Sequence, residues 1–154
     1  MQRNEENEMM TKETVAENFK NGIDCGQVVA GQFEEETGYS LSQLRKMSAC
    51  YAAGMMRGET CGAVMAAYNV IGLIYGHDEE GDDVQKGQML QKMLRFNELF
   101  GEKYSQGFQC KELLGADIST PEGGKKINEE NLLFNLCPAI CCDVVEVLKK
   151  VISE

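Results

Sequence analysis

The chain has no tryptophan, only two prolines and a single histidine. It also lacks any long apolar run. Its longest apolar stretch, Cys61 to Tyr75, is short and interrupted by Gly62, Asn69 and Gly72. A bilayer-spanning helix needs about 20 predominantly apolar residues, so none is expected. His77 stands beside acids in the loop from His77 to Asp83, and one loop histidine cannot complete a Ser-His-Asp set. The acids of that loop lack the alternation and distal glutamate of a calcium loop. Basic residues are in deficit, 15 Lys and Arg against 25 Asp and Glu, for a formal net charge of −10. Phosphate-based binding of nucleic acid needs a basic face, and an anionic membrane surface would repel this chain. Neither is an expected partner. The first fourteen residues are polar and carry no apolar core of a signal peptide, so a cytoplasmic location is expected.

What is present favours helix. Nine methionines, plentiful alanine and few β-branched runs suit an all-α chain of one domain spanning residues 1–154. The segment 1–12 reads as a mobile N-terminal stretch. Apolar spacing predicts a short helix from Thr11 to Lys20, broken by Asn21-Gly22. A second runs from Asp24 to Glu36, capped by Asp24 and ended by Gly38. A third, capped at Ser40 or Ser42, carries Leu41, Leu44 and Met47 inward. The fourth runs from Thr60 to Tyr75 with Cys61, Val64, Met65, Tyr68, Ile71, Gly72 and Tyr75 on one stripe. A long helix from Val84 to Tyr104 is expected to bury Leu90, Met93, Leu94, Asn97 and Phe100. A short one follows at Cys110–Leu114, stopped by Gly115. Ile118 to Asn131 reads as an irregular loop. The last helix opens at Pro138 and turns Ile140, Cys141, Val144, Leu148, Val151 and Ile152 inward. The expectation is a compact bundle of five to seven helices.

Seven cysteines are the feature that points to chemistry. In a reducing compartment such a cluster is more often catalytic or metal-binding than a disulfide framework, and an odd count pairs incompletely. Four of them, Cys25, Cys61, Cys110 and Cys137, fall where helices begin. Backbone N–H groups and the positive end of the helix dipole favour a thiolate there, which predicts lowered thiol pKa values. If the four starts converge, their sulfurs meet in one pocket. Cys141 lies one turn beyond Cys137, but core packing is the simpler expectation for it, as partial exposure is for Cys142. No C-x-x-C occurs, so the spacing does not by itself recommend zinc or an iron–sulfur cluster. The turn Gly54-x-x-x-Gly58 is no phosphate loop, since no Gly-Lys-Ser/Thr follows. It brings Arg57 near Cys61 as a candidate positive charge.

In order along the chain, these pieces resemble a bacterial family named C_GCAxxG_C_C for its cysteine pattern. The resemblance rests on Phe19-x-x-Gly22-x-x-Cys25-x-Gln27-x-Val29, Gly58-Glu-Thr-Cys61-Gly62-Ala63 continuing to Gly72-Leu-Ile-Tyr-Gly76, Cys110-Lys-Glu-Leu-Leu-Gly115, and Cys137-Pro138. Gly26 replaces the family's usual alanine after the first cysteine, and Ala66 replaces a glycine of the second motif. Cys50, Cys141 and Cys142 are additional to the family's four. The resemblance implies an all-helical fold and a redox or metal role, without a substrate. Related domains occur in multi-haem cytochromes, but no C-x-x-C-H is present, so covalent haem is not expected.

Three readings follow. The first is a redox protein whose catalytic set is Cys25, Cys61, Cys110 and Cys137, with Cys61 as nucleophile and an unidentified redox partner. The second is a metal-binding module holding an iron–sulfur cluster or zinc on the same four cysteines. The third is a structural or interaction protein with cysteines in its core. The long helices leave room for a homodimer face.

Overall fold

A computed structural model describes residues 10–154. Among these residues the chain forms ten α-helical segments and no strand ladder, as an all-α reading expects. The helices are α1 (Lys12–Lys20), α2 (Cys25–Ala30), α3 (Glu34–Thr37), α4 (Leu41–Met47), α5 (Gly62–Tyr75), α6 (Asp83–Lys103), α7 (Cys110–Leu114), α8 (Pro121–Glu129), α9 (Leu132–Asn135) and α10 (Cys137–Ser153). Residues 1–9 of the proposed mobile segment lie outside the described residues. Met10 to Lys12, its last three residues, lead into α1. Thr11 caps α1 by accepting from the Thr14 N–H at 3.1 Å, and Met10 packs against the core.

Helix α5 is the axis. Ala63, Val64, Ala66, Ala67, Val70 and Ile71 are all buried, so the helix is covered on more than one side, by α2, α6 and α10. Its alanines are small enough to let those helices come close. Helix α6 contributes an aromatic column. Phe96 and Phe100 are fully buried and stack at 5.9 Å, Tyr104 stacks on Phe100 at 4.8 Å, and Phe108 meets it edge-on at 5.0 Å. Two hydroxyls then tie α6 to its neighbours: Tyr68 donates to Asn97 at 2.6 Å, and Tyr104 donates to Asp143 at 2.5 Å.

Several expectations are corrected. The Asp24–Glu36 helix is divided by a 3₁₀ turn at Gly31–Phe33, although Asp24 does cap it and Gly38 ends it with φ of +76°. Met47 faces solvent, while Ser48 is buried and donates to the Leu44 carbonyl at 2.7 Å. On α6 the inward stripe runs through Phe96, Leu99 and Phe100, and Leu90 and Leu94 are exposed. The phenylalanines outcompete the leucines for the core, which turns the helix away from the predicted face. The supposed loop from Ile118 to Asn131 contains α8. Thr120 caps it, accepting from the Gly123 N–H at 3.0 Å, and Pro121 occupies its first turn.

The approach of α2 to α5 depends on two glycines. A Cβ at Gly62 would lie 2.5 Å from the Tyr51 carbonyl oxygen and 2.6 Å from the Cys25 sulfur. One at Gly26 would lie 3.0 Å from the Gly62 carbonyl oxygen. Gly87, in the second turn of α6, has nothing within 4 Å of the same position. The same substitution should therefore have opposite signs. Gly62→Ala is expected to destabilise by about 1–3 kcal/mol, because backbone must move. Gly87→Ala is expected to stabilise by about 0.5–1 kcal/mol, through helix propensity and a less mobile unfolded chain. Urea unfolding of the two variants reads both directions.

Candidate functional site

The helix starts do converge. A cavity of about 250 Å³ is walled by Cys25, Cys61, Cys110, Cys137 and Cys141, with Ala52, Ala53, Gly62, Ala63, Ile118 and Ile140 between them. Phe19, Asp24, Met56, Leu133 and Phe134 complete it. Five of the seven thiols thus share one space. Cys50 is exposed, and Cys142 is half-buried with its sulfur 3.9 Å from the Met10 carbonyl oxygen, so both stand outside it.

Each sulfur is placed by a distinct local device. Cys25 is the first residue of α2, and its sulfur lies against Gly62, where a larger residue would displace it. The N–H groups of Gly26 and Ala53 favour its thiolate. Cys61 caps α5 from outside the helix, with the N–H groups of Ala63 and Val64 favouring its thiolate. Cys110 opens α7. A short antiparallel bridge between Thr60 and Gln109 connects these last two: Cys61 N–H donates to the Phe108 carbonyl at 2.8 Å, and Cys110 N–H to the Glu59 carbonyl at 2.6 Å. Side chains alternate along a bridge, so Cys61 and Cys110 emerge on one face as diagonal neighbours. Cys137 and Cys141 sit one turn apart at the start of α10, and the Cys141 sulfur lies 3.9 Å from the Cys25 carbonyl oxygen.

A strained turn closes one side. Ala53, Gly54, Met55 and Met56 have φ values of +53°, +61°, +56° and +57°, one turn of left-handed backbone. Only Gly54 does this freely; each of the other three costs roughly 1–2 kcal/mol. A Cβ at Gly54 would also lie 2.5 Å from the backbone nitrogen and oxygen of Glu59. Ala52, Ala53 and Met56 are cavity wall. Strain of this kind persists where surroundings over-determine it, commonly at functional sites.

The expected lowering of thiol pKa is overturned. Burial pushes Cys25 up from an ordinary value near 9 to about 12, with the neighbouring Cys61 adding to it. Burial pushes Cys61 to about 11 and Cys110 to about 11. Cys137 and Cys141 rise further, from burial and then from the surrounding sulfurs. A helix terminus supplies roughly 0.3–1 kcal/mol, or up to ~2 in favourable partly buried geometry. Raising a thiol from near 9 to about 12 corresponds to roughly 4 kcal/mol. Desolvation wins. Three of the four starts are also weaker than their position suggests. Helices α2 and α7 are only 6 and 5 residues long, and α10 continues from α9 through Leu136, whose carbonyl accepts from Ile140 N–H at 3.3 Å.

The four predicted cysteines are therefore brought together, while Arg57 is exposed and outside the wall. Cys141, expected simply to pack, is fully buried and also faces the cavity. Its helical spacing from Cys137 was the available signal. Asp24, read only as a cap, is the one ionisable wall residue besides the thiols. As they stand, the sulfurs line the wall without focusing on a point. Among the described residues no three Cys, His, Asp or Glu side chains are arranged to hold a metal ion.

The raised pKa values carry a stability consequence. In the unfolded chain these thiols ionise near their ordinary values, whereas the folded chain keeps them protonated to about 11 or 12. The unfolded state then binds fewer protons, so stability is full below about pH 8.5 and falls as pH rises towards the folded values. Each buried thiol is expected to contribute a slope of about 1.4 kcal/mol per pH unit in that window. Urea unfolding between pH 7 and pH 10 should show the fall, and Cys141→Ala should make it shallower by one thiol's share. A pH-independent midpoint would contradict the burial argument.

Among the described residues no single helix is long and apolar enough to cross a membrane. No curated protein and no solved structure matches the chain. A family model does match, over residues 23–151, and it spans all five thiols of the cavity wall. With its cysteines gathered in one helical cavity, the chain belongs to the C_GCAxxG_C_C family, described as "Putative redox-active protein".

Proposed function

We propose that the chain is a thiol redox protein whose cavity cysteines cycle between dithiol and disulfide. The observation that supports this reading is the convergence of five thiols from α2, α7, α10 and the start of α5 on one cavity. Core packing alone calls for no such gathering of one residue type. Cys61 is the proposed nucleophile. With Cys110 it is the least raised of the wall thiols, and two backbone N–H groups support its anion. Cys25 is the proposed resolving thiol, because its sulfur lies against the residue that follows Cys61.

The chemistry balances with a disulfide co-substrate. The Cys61 thiol gives up its proton, and its thiolate attacks one sulfur of the co-substrate. That disulfide breaks, one half leaving as a thiolate and the other remaining bonded to Cys61. The Cys25 thiolate then attacks the Cys61 sulfur, forming the Cys25–Cys61 disulfide and expelling the second half. Two electrons pass to the co-substrate and two protons follow its thiolates. With its pKa pushed up to about 11, little of Cys61 is ionised at pH 7. Exchange is therefore slow near neutrality and rises with pH.

Cys61→Ser should reduce the rate of intramolecular disulfide formation roughly tenfold or more, read by mass spectrometry after treating the reduced chain with a small disulfide. A variant that oxidises at the parental rate would remove Cys61 from the role. The second reading, a metal module on Cys25, Cys61, Cys110 and Cys137, is supported by the same wall but requires the sulfurs to draw together. Chain purified without oxygen is expected to carry iron and zinc well below one per chain. Near-stoichiometric metal would put the metal reading ahead of the dithiol one.

A further inference from the structure

The walls also bear on what can enter. No Lys, Arg or His lines the cavity, and Asp24 at its edge is the one wall residue carrying charge at neutral pH. The wall residues open to solvent are Asp24 and three apolar ones, Met56 at 63% exposed, Leu133 at 37% and Phe134 at 36%. Phe19 and Phe134 meet edge-to-face with centroids 6.1 Å apart. At about 250 Å³ the space is below the ~300 Å³ lower end of drug-sized pockets. It corresponds to roughly eight water molecules. An anion entering would lose its hydration without meeting a cationic partner, and would approach a carboxylate. A neutral molecule keeps no ionic hydration to lose, a cation's lost hydration is offset in part by the carboxylate, and the carbon skeleton of either is matched by the apolar rim.

We propose, resting on the dithiol reading, that the co-substrate is a small uncharged or cationic organic disulfide, and that Asp24 is the residue that sets this charge preference. Large or anionic disulfides are excluded, the first by volume and the second by the carboxylate at the edge. Asp24 acts on entry. It is placed for this by capping α2, where Gln27 accepts from its backbone N–H at 3.0 Å, beside Cys25.

Three disulfides of similar size test the proposal: cystamine (dication), bis(2-hydroxyethyl) disulfide (neutral) and 2,2′-dithiodiacetate (dianion). Each is added to the reduced full chain at fixed ionic strength, and the oxidation of each cysteine is followed by peptide mass mapping. The exposed Cys50 serves as internal reference, because it reports the pull of the net charge of −10 without the cavity. The cavity-to-Cys50 rate ratio is expected to be highest for cystamine, intermediate for the neutral reagent and lowest for the dianion, with roughly tenfold between the extremes. Asp24→Asn keeps a good capping residue. It should abolish the advantage of cystamine over the neutral reagent, while Asp24→Glu should restore it.

Equal ratios for the three reagents, ratios unmoved by Asp24→Asn, or a cavity that reacts with none of them while Cys50 does, would each overturn the proposal. Failure of the dithiol reading looks different. Cavity cysteines would then carry mixed disulfides in the expected charge order, but no intramolecular disulfide would follow.

Discussion

The close contact between the start of α5 and the start of α2 is the constraint from which the rest of the site follows. Backbone at Gly62 touches the Tyr51 carbonyl and the Cys25 sulfur at distances that no side chain would allow. Because the two helices meet there, Cys25 and Cys61 face the same space. Because Cys61 is bridged to the segment leading into α7, Cys110 faces it as well. Helix α10 packs against both α2 and α5 and adds Cys137 and Cys141. Cysteines 116 residues apart in sequence thus share a wall that is built on the close approach allowed by two glycines. A motif in which glycine follows cysteine therefore has a packing cause that precedes any chemical one.

That packing also sets the chemical character of the sulfurs, in the opposite sense from their position along the helices. A helix start favours a thiolate, but the amides that do so lie inside a wall with little water. Removing water from the anion costs more than the dipole and two N–H groups return. Each sulfur also raises its neighbours, since a second thiolate nearby would repel the first. The result is a set of neutral, soft, polarisable groups rather than a permanent thiolate. Such a wall is compatible with apolar surroundings that would not tolerate five anions.

The sequence was informative about elements and much less so about faces. Periodicity identified α5 and α10, and glycine at Gly38 and Gly115 marked helix ends correctly. It failed at α8, where Gly123-Gly124 reduced helix propensity and masked the Thr120-Pro121 start. On α6 it failed for another reason: leucines and phenylalanines alternate around the helix, and only tertiary packing decides which set is inside. The four cysteines were legible because each abuts a helix start. Cys141 and Asp24 were not, because a core cysteine and a capping aspartate have ordinary structural explanations. Their shared cavity is a property of several helices together that no local pattern records. The left-handed run from Ala53 to Met56 was equally hidden, since alanine and methionine give no sign of positive φ.

That strained turn connects the fold to the proposed chemistry. Three non-glycine residues held left-handed represent roughly 3–6 kcal/mol of local strain, supported by the packing around them. Part of that support is at the site itself. Ala53 directs its N–H toward the Cys25 sulfur and shares the cavity wall with it. A thiolate at Cys25 strengthens this contact, because an anion is the better acceptor. Burial keeps Cys25 a neutral thiol below about pH 12, so near neutrality this contact is the weaker one. Met56 belongs to the same turn and stands at the open edge, so one strained stretch of backbone joins the Cys25 side of the wall to the cavity entrance.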